Sequence, residues 1–222
     1  MTVKILGING SARKKSGTEF ALEQALEAAK EIDADVKTEL ISLRSKNIKM
    51  CIHCDGCFRK NSLCIVQDDF QEVQKAFLEA DGYIFSSPVY NMNVTPVMNA
   101  FMSRVRPTCL VYPGHFTRKV GGAIVVGGGR NGGQEMTILT IHNFYQTYEI
   151  LCCGGSLHEP AGAMIWSVDG SYEGATKDKV GIEGAQRLGK RVAQTAALLK
   201  TGWEQFEKEN KTIYQTENWW EY

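Results

Sequence analysis

The residues from Val3 to Lys30, which are the most informative about the fold, read VKILGINGSARKKSGTEFALEQALEAAK. The first six residues form a short, largely apolar segment rich in β-branched side chains, as in a buried strand. A polar loop follows, and apolar residues then recur at helical spacing to about Lys30. A second extended segment at Val36 to Leu43 completes the pattern, which predicts a β-α-β unit.

The remainder of the chain continues this alternation. Asp68 and Asp69 are suited to cap a helix, and Thr95 followed by Pro96 is a typical helix start. We predict strands at Tyr83 to Ser87, Val120 to Val126 and around Ser156, and helices at Phe70 to Ala80, from Pro96, at Glu135 to Tyr148 and at Gly181 to Leu199. Alternating strands and helices favour a parallel sheet covered on both faces.

Composition restricts the function. The 222 residues carry 25 Lys and Arg against 25 Asp and Glu, and 43% are hydrophobic. A balanced charge disfavours nucleic-acid binding, and no apolar run is long enough to cross a membrane. We expect a cytoplasmic protein with one α/β domain over residues 1–200, whose loop 49–67 is rich in cysteine. Residues 201–222 form an aromatic tail with Trp203, Trp219, Trp220 and Tyr222, which we expect to pack on the fold or on a sister subunit.

Three polar or glycine-rich loops follow predicted strands. Ligands of open parallel sheets bind outside the carboxyl ends of the strands, where the strand order reverses. The first loop, Gly10 to Thr18, offers hydroxyls, an Arg and a helix N-terminus, all suited to a phosphate. Its alternative role is a helix cap made by Ser16 or Thr18.

The other two loops are suited to a flat ring. Ser86 to Val94 places Tyr90 and amide groups after a buried strand, although it also fits an ordinary strand stopped by Pro88. Gly127 to Glu135 contains one G-x-G-x-x-G match, but that fingerprint normally opens the first β-α unit. We therefore interpret it as backbone that approaches a ligand closely.

Four cysteines lie within fourteen residues, at Cys51, Cys54, Cys57 and Cys64. In a reducing compartment this spacing favours metal or redox chemistry over a disulfide framework. Thiolates so close in sequence can hold a [4Fe-4S] cluster. Zinc, with His53 as a substitute ligand, and a structural loop without metal are the alternatives. Cys109, Cys152 and Cys153 are predicted to be buried and separate from this group.

These motifs occur in an order that resembles the NADPH-dependent FMN reductase family of flavodoxin-like proteins, and within it the iron-sulfur flavoproteins. The resemblance covers about residues 1–200. It implies a doubly wound α/β fold with a five-stranded parallel sheet in the order 2-1-3-4-5, a cysteine-rich loop after strand 2, and FMN at the switch point. By the same resemblance, FMN contacts would come from Ser11, Arg13, Ser16, Thr18, Pro88, Val89, Tyr90, Asn91, Met92, Gly128, Gly129, Arg130 and Gly133.

The resemblance implies an oxidoreductase. Our first hypothesis is electron transfer between a [4Fe-4S] cluster on the four cysteines, FMN and an acceptor such as a quinone, an oxygen species or a redox protein. The alternative is an FMN-only reductase that uses NAD(P)H. A flavodoxin-type carrier and a zinc-stabilised binding module rank below these. Related proteins are dimers or tetramers, so we expect a homodimer or homotetramer and a ferredoxin-like partner, and we assign no acid-base catalyst.

Overall fold

The computed structural model describes residues 1–211, in which six parallel strands form one sheet. The strands are β1 Val3–Asn9, β2 Val36–Ser42, β3 Gly82–Pro88, β4 Val120–Gly127, β5 Leu151–Cys153 and β6 Ala163–Trp166. The helices are α1 Gly17–Lys30, α2 Gly56–Lys60, α3 Phe70–Glu79, α4 Pro96–Arg104, α5 Thr108–Val111, α6 Gln134–Thr147, α7 Tyr172–Ala175 and α8 Lys179–Lys208. Most elements lie within a residue or two of their predicted bounds.

The strand order is β2-β1-β3-β4-β5, which confirms the predicted 2-1-3-4-5 arrangement. The fifth position is shared by two short strands. Val120 to Gly122 pair with β5, and Ile124 to Gly127 pair with β6. The order reverses between β1 and β3, so the carboxyl ends of these two strands flank the switch point.

The prediction of the last strand near Ser156 is wrong. The chain leaves the sheet between β5 and β6, and Ser156 makes only an isolated bridge with Glu159. Gly154 lies so close to the carbonyl of Pro160 that any Cβ would be 2.0 Å from it. Glycine and proline therefore turn the backbone away, and pairing resumes when apolar residues return at Ala163.

Apolar residues fill both faces of the sheet. One layer contains interlocked aromatic rings, among them Phe77, Phe85, Phe101 and Phe144, with ring centroids 5.6 to 6.1 Å apart. The other layer is aliphatic and joins the sheet to α1 and α8. This two-sided burial is the doubly wound arrangement that the sequence pattern predicted.

Helix α8 passes the predicted domain boundary at residue 200. It continues to Lys208, nine residues beyond the predicted end, and carries Trp203 with it. The guanidinium of Arg118 lies 5.3 Å from the Trp203 ring, so this aromatic residue of the predicted tail contacts the fold. Trp219, Trp220 and Tyr222 lie outside the described residues. Within residues 1–211, no helix is both long and apolar enough to span a bilayer.

Candidate functional site

A cleft opens at the carboxyl edge of the sheet, beside the switch point. The loops after β1 and β3 are fastened together there, because Gly10 N–H donates to the Ser86 carbonyl at 2.8 Å and Thr95 Oγ1 donates to the Gly10 carbonyl at 2.8 Å. The cleft holds about 720 Å³, counted out to its open mouth. Its lining is Ser11, Arg13, Thr18, Pro88, Val89, Tyr90, Val126, Gly127, Gly128, Val168, Asp169 and Gly170.

Seven of the thirteen predicted cofactor contacts meet in this lining: Ser11, Arg13, Thr18, Pro88, Val89, Tyr90 and Gly128. The other six lie in the same three loops, outside the lining formed by residues 1–211: Ser16, Asn91, Met92, Gly129, Arg130 and Gly133. Sequence reasoning missed the segment Val168 to Gly170 and the end of β4. The three predicted loops therefore do converge, and a fourth loop joins them.

The first loop combines a helix cap with groups suited to an anion. Ser16 is the N-cap of α1, and its Oγ accepts a hydrogen bond from Glu19 N–H at 3.1 Å, so the capping role applies to this residue. Ser11 and Thr18 are buried at the cleft wall, whereas Arg13 is exposed. A hydroxyl pair, a guanidinium and the start of α1 can together bind a dianionic group.

The fourth loop follows β6 and holds Arg13 in place. Arg13 Nη1 donates to the Asp169 carbonyl at 3.0 Å, and Gly17 N–H donates to the Gly170 carbonyl at 3.1 Å. Hydrogen bonds from the hydroxyl and backbone N–H of Ser171 lower the pKa of the Asp169 carboxyl. The sequence signal for this fourth loop is the run of turn residues from Ser167 to Ser171. The sequence analysis did not select it, because β6 itself was not predicted.

The second loop is a tight turn. Tyr90 and Asn93 exchange two backbone hydrogen bonds at 2.8 and 2.9 Å, and Asn91 and Met92 between them have φ of 50° and 63°. Met92 packs against Gly133, where a Cβ would lie 2.8 Å from Met92 Cγ. Asn91, Met92 and Gly133 therefore shape the rim and present Tyr90 to the cleft.

The third loop is fixed from both sides. Gln134 is buried and bonds the loop backbone at two points: its Nε2 donates to the Gly129 carbonyl at 2.6 Å, and its Oε1 accepts from Gly132 N–H at 2.7 Å. On the outer side, Trp166 Nε1 donates to the Gly128 carbonyl at 3.1 Å. The guanidinium of Arg130 lies 4.7 Å from the Trp166 ring, so this exposed cation stands at the rim.

A second cavity lies between the cysteine-rich loop and the end of α4. All four predicted metal ligands, Cys51, Cys54, Cys57 and Cys64, contribute to its largely apolar wall. Cys51 and Cys54 are exposed, while the other two are partly buried. Burial raises the pKa of the Cys57 thiol, and a backbone hydrogen bond from Phe58 only partly opposes this shift.

The donor chemistry of these side chains suits a metal centre. Four thiols line one cavity, and thiolates are ligands of both iron-sulfur clusters and structural zinc. Among residues 1–211, no three His, Cys, Asp or Glu side chains are already close enough to share a single metal ion. The cluster and the zinc alternative both stay predictions.

Two arginines that the sequence analysis did not select, one at the end of α4 and one just after it, bond the cysteine-rich loop and the residue that follows it. Arg104 is buried and donates to Asp68 Oδ2 at 2.6 Å and to the Val66 carbonyl at 2.6 Å. Arg106 donates to Asp55 Oδ1 at 3.2 Å and stacks on Phe58 at 4.2 Å. The signal for Arg104 was its position three residues after Phe101, on the buried face of α4.

The Asp68 carboxyl remains ionised beside Arg104. Burial alone would raise its pKa, but hydrogen bonds from Lys49 N–H and from Arg104 outweigh this effect and lower the pKa below its ordinary value. The pair is enclosed, with 0% exposure for the Arg104 side chain and 1% for the Asp68 side chain. Arg104, held in this buried ion pair, contributes to the wall of the cysteine cavity.

The sheet order and the cleft at its switch point define a flavodoxin-like protein. Solved structures of this class superpose on most of the chain. RosB with its bound intermediate OHC-RP (8-demethyl-8-formylriboflavin-5'-phosphate) gives a TM-score of 0.68 at 14% identity, covering 97% of this chain and 91% of its own. A WrbA-like flavodoxin from Agrobacterium tumefaciens gives 0.60 at 16% identity, covering 89% and 99%.

The family follows from the sequence comparison. The model of the NADPH-dependent FMN reductase family matches residues 3–157, and the chain belongs to this family of flavin-dependent oxidoreductases. Two iron-sulfur flavoproteins of Methanocaldococcus jannaschii are 41% and 38% identical over 181 and 199 residues. These alignments cover 81% and 89% of this chain, and 90% and 100% of the relatives.

Proposed function

We propose that the chain transfers electrons between a [4Fe-4S] cluster on Cys51, Cys54, Cys57 and Cys64, an FMN in the switch-point cleft, and an acceptor. The observation that carries this proposal is the convergence of the four cysteines on one cavity. The similarity to iron-sulfur flavoproteins over most of the chain supports it. The acceptor class is a quinone, an oxygen species or a redox protein.

Different residues of the cleft would bind different parts of FMN. Ser11, Arg13 and Thr18 would hold the phosphate, and Pro88, Val89, Tyr90 and Gly128 would surround the ring. A bound flavin takes up electrons in pairs and can release them singly, whereas a cluster moves one at a time. The chain itself would orient both groups, and the buried residues Val126 and Gly127 in the cleft wall would keep water from part of the ring. No side chain is assigned as acid or base.

The alternative is an FMN-only reductase that takes hydride from NAD(P)H, with the cysteines structural or redox-sensing. The family's description as NADPH-dependent FMN reductases supports it. Rapid bleaching of the bound flavin by NADPH alone, in protein without iron, is its expected signature. A homodimer or homotetramer, a ferredoxin-like partner and a cytoplasmic location stay predictions.

The test is anaerobic purification followed by a UV-visible spectrum and a count of iron, acid-labile sulfide and flavin per chain. We expect one flavin and about four irons. Cys54→Ala should lose the iron and sulfide while keeping the flavin, because this exposed side chain is at the cysteine cavity rather than the flavin cleft.

The matched control is Cys109→Ala. Cys109 is partly buried and does not belong to the cavity wall described above, so its variant should keep the iron. Flavin without iron in the unmodified protein would contradict the proposal and favour the FMN-only reductase. Equal iron loss in both variants would also contradict the assignment of the ligands.

A further inference from the structure

Arg104 contacts one of the four cysteines directly, because its Nε donates a hydrogen bond to Cys64 Sγ at 3.3 Å. We propose that Arg104 is a positioning residue that raises the reduction potential of the cluster through Cys64. This inference rests on the proposed function, since it assigns a role toward the cluster that the four cysteines would hold.

The guanidinium has a single orientation. Its Nη1 donates to the Lys49 carbonyl at 3.2 Å as well as to Asp68, and its Nη2 donates to the Val66 carbonyl. The ring of Phe70 covers one face, with the Arg104 Cζ 4.3 Å from the centroid. Because the planar fork is held at these points, the Nε–H is aimed at the sulfur rather than free to rotate.

The cysteine that receives this bond is also the one set into the core. Cys64 packs against the main hydrophobic cluster, and Gln71 Nε2 donates to its carbonyl at 3.4 Å. Cys51 and Cys54, by contrast, face solvent. A hydrogen bond in a low-dielectric environment is electrostatically stronger than one in water, so the Cys64 corner is where the protein can influence the cluster most.

The physical effect has a definite sign. Reduction adds one electron to the cluster and breaks no bond, and the guanidinium keeps its charge, since arginine is not deprotonated in proteins. The added negative charge is spread over the sulfurs, and an N–H donor at a sulfur stabilises it. Arg104 therefore favours the reduced form, and Asp68 opposes this effect by neutralising the guanidinium at 2.6 Å.

The experiment is an EPR-monitored redox titration of the anaerobically purified protein, with dithionite as the one-electron reductant. Arg104→Gln should lower the potential, with at least a tenfold loss of reduced cluster at a fixed potential, equivalent to about 59 mV. Asp68→Asn should shift the potential the opposite way, because it leaves the arginine charge uncompensated. Arg104→Lys should fall between wild type and Arg104→Gln, because it keeps the charge without the fixed Nε–H.

Arg106→Gln is the matched control. Arg106 lines the same cavity but is 35% exposed, and it bonds Asp55 rather than a cysteine sulfur. The same loss of one charge there should change the potential less than Arg104→Gln does. Equal shifts in the two variants would assign the effect to net charge alone and overturn the proposal.

The remaining outcomes are also decisive. Unchanged potentials in Arg104→Gln and Asp68→Asn with full iron content would overturn this inference and leave the proposed function intact. If Arg104→Gln loses its cluster, the reduction potentials of Asp68→Asn and Arg104→Lys are compared with that of the wild type. The proposal is contradicted unless Asp68→Asn raises the potential and Arg104→Lys lowers it. A wild-type protein without iron and sulfide would overturn both the proposed function and the inference.

Discussion

Within residues 1–211, Arg13 is the only cation in the lining of the switch-point cleft. The first prediction concerns this residue. Arg13→Gln should weaken FMN binding about tenfold. A charge-assisted hydrogen bond contributes about 1.5 to 3 kcal/mol to binding. We expect a value at the lower end of this range because the Arg13 guanidinium is exposed. The measurement is a fluorescence titration of flavin-free protein with FMN and with riboflavin, which lacks the phosphate.

Riboflavin affinity should be unchanged in this variant. The matched control is Lys14→Gln, which removes an exposed charge from the neighbouring residue. Equal weakening of riboflavin, or an equal effect of the Lys14 variant, would contradict the assignment of Arg13 to the phosphate.

Gly133 carries the second prediction, because its φ of 95° is one that residues with a Cβ rarely adopt. Gly133→Ala should lower the free energy of unfolding by about 1 to 2 kcal/mol through backbone strain and contact with Met92. Urea denaturation of the flavin-free protein measures the change. Gly128→Ala is the control, since a Cβ there meets nothing within 4 Å, and a similar loss in both variants would contradict the argument.

At the scale of elements, the contact between α1 and α8 depends on the absence of one side chain. A Cβ at Gly189 would lie 1.9 Å from the Ala25 carbonyl oxygen, which belongs to the backbone and cannot rotate away. Gly189→Ala should therefore destabilise the protein by about 1 to 3 kcal/mol, as overpacking does. Thermal unfolding followed by circular dichroism is the measurement.

The same helix supplies the control for this third prediction. Gly202 is exposed near the end of α8 with nothing within 4 Å of its Cβ position. Gly202→Ala should stabilise the protein by about 0.5 to 1 kcal/mol, because alanine favours the helix. A Gly189 variant that is equally stabilised would show that the two helices pack less closely than described.

Helix α4 shows how an element joins the two sites. Its start at Pro96 and its Thr95 cap were predicted from sequence, and the Thr95 Oγ accepts from Met98 N–H at 3.4 Å as expected. Its other end places Arg104 against the cysteine cavity. Local sequence specifies where a helix begins, but the partner of its last residue comes from a loop some forty positions earlier in the chain.

For the whole molecule, two partly buried histidines predict a pH dependence of stability. Burial lowers the pKa of both His115 and His142, and the charge of Lys119 adds to the effect on His115. The unfolded chain, with histidine pKa values near 6.5, therefore binds more protons than the folded protein as the pH falls through this value. The free energy of unfolding should decrease from about pH 7.5 to pH 5.5.

The measurement is urea denaturation at both ends of this range. The double variant His115→Gln/His142→Gln should have a smaller dependence on pH than wild type. His53→Gln/His158→Gln is the matched control, because both side chains are exposed, and it should retain the wild-type slope. Equal slopes in all three proteins would contradict the prediction.

Much of the site could be predicted because its loops each follow a strand that the pattern already indicated. Ser11, Thr18 and Tyr90 reach one cleft because the carboxyl ends of parallel strands lie at one edge of the sheet. Asp169 was missed because β6 has only four residues and follows a detour out of the sheet. A strand so short gives too few residues for periodicity to be recognised.

The fold class, the three loops and the four cysteines could be read from the sequence, because hydrophobic periodicity, turn residues and cysteine spacing are local properties. Long-range packing was needed to show that β5 and β6 share one place in the sheet, that a fourth loop holds Arg13, and that Arg104 contacts Cys64. Each of these depends on residues distant in the chain, 156 positions apart for Arg13 and Asp169 and 40 for Arg104 and Cys64. Such pairs are brought together by packing on the sheet, which local propensity does not encode.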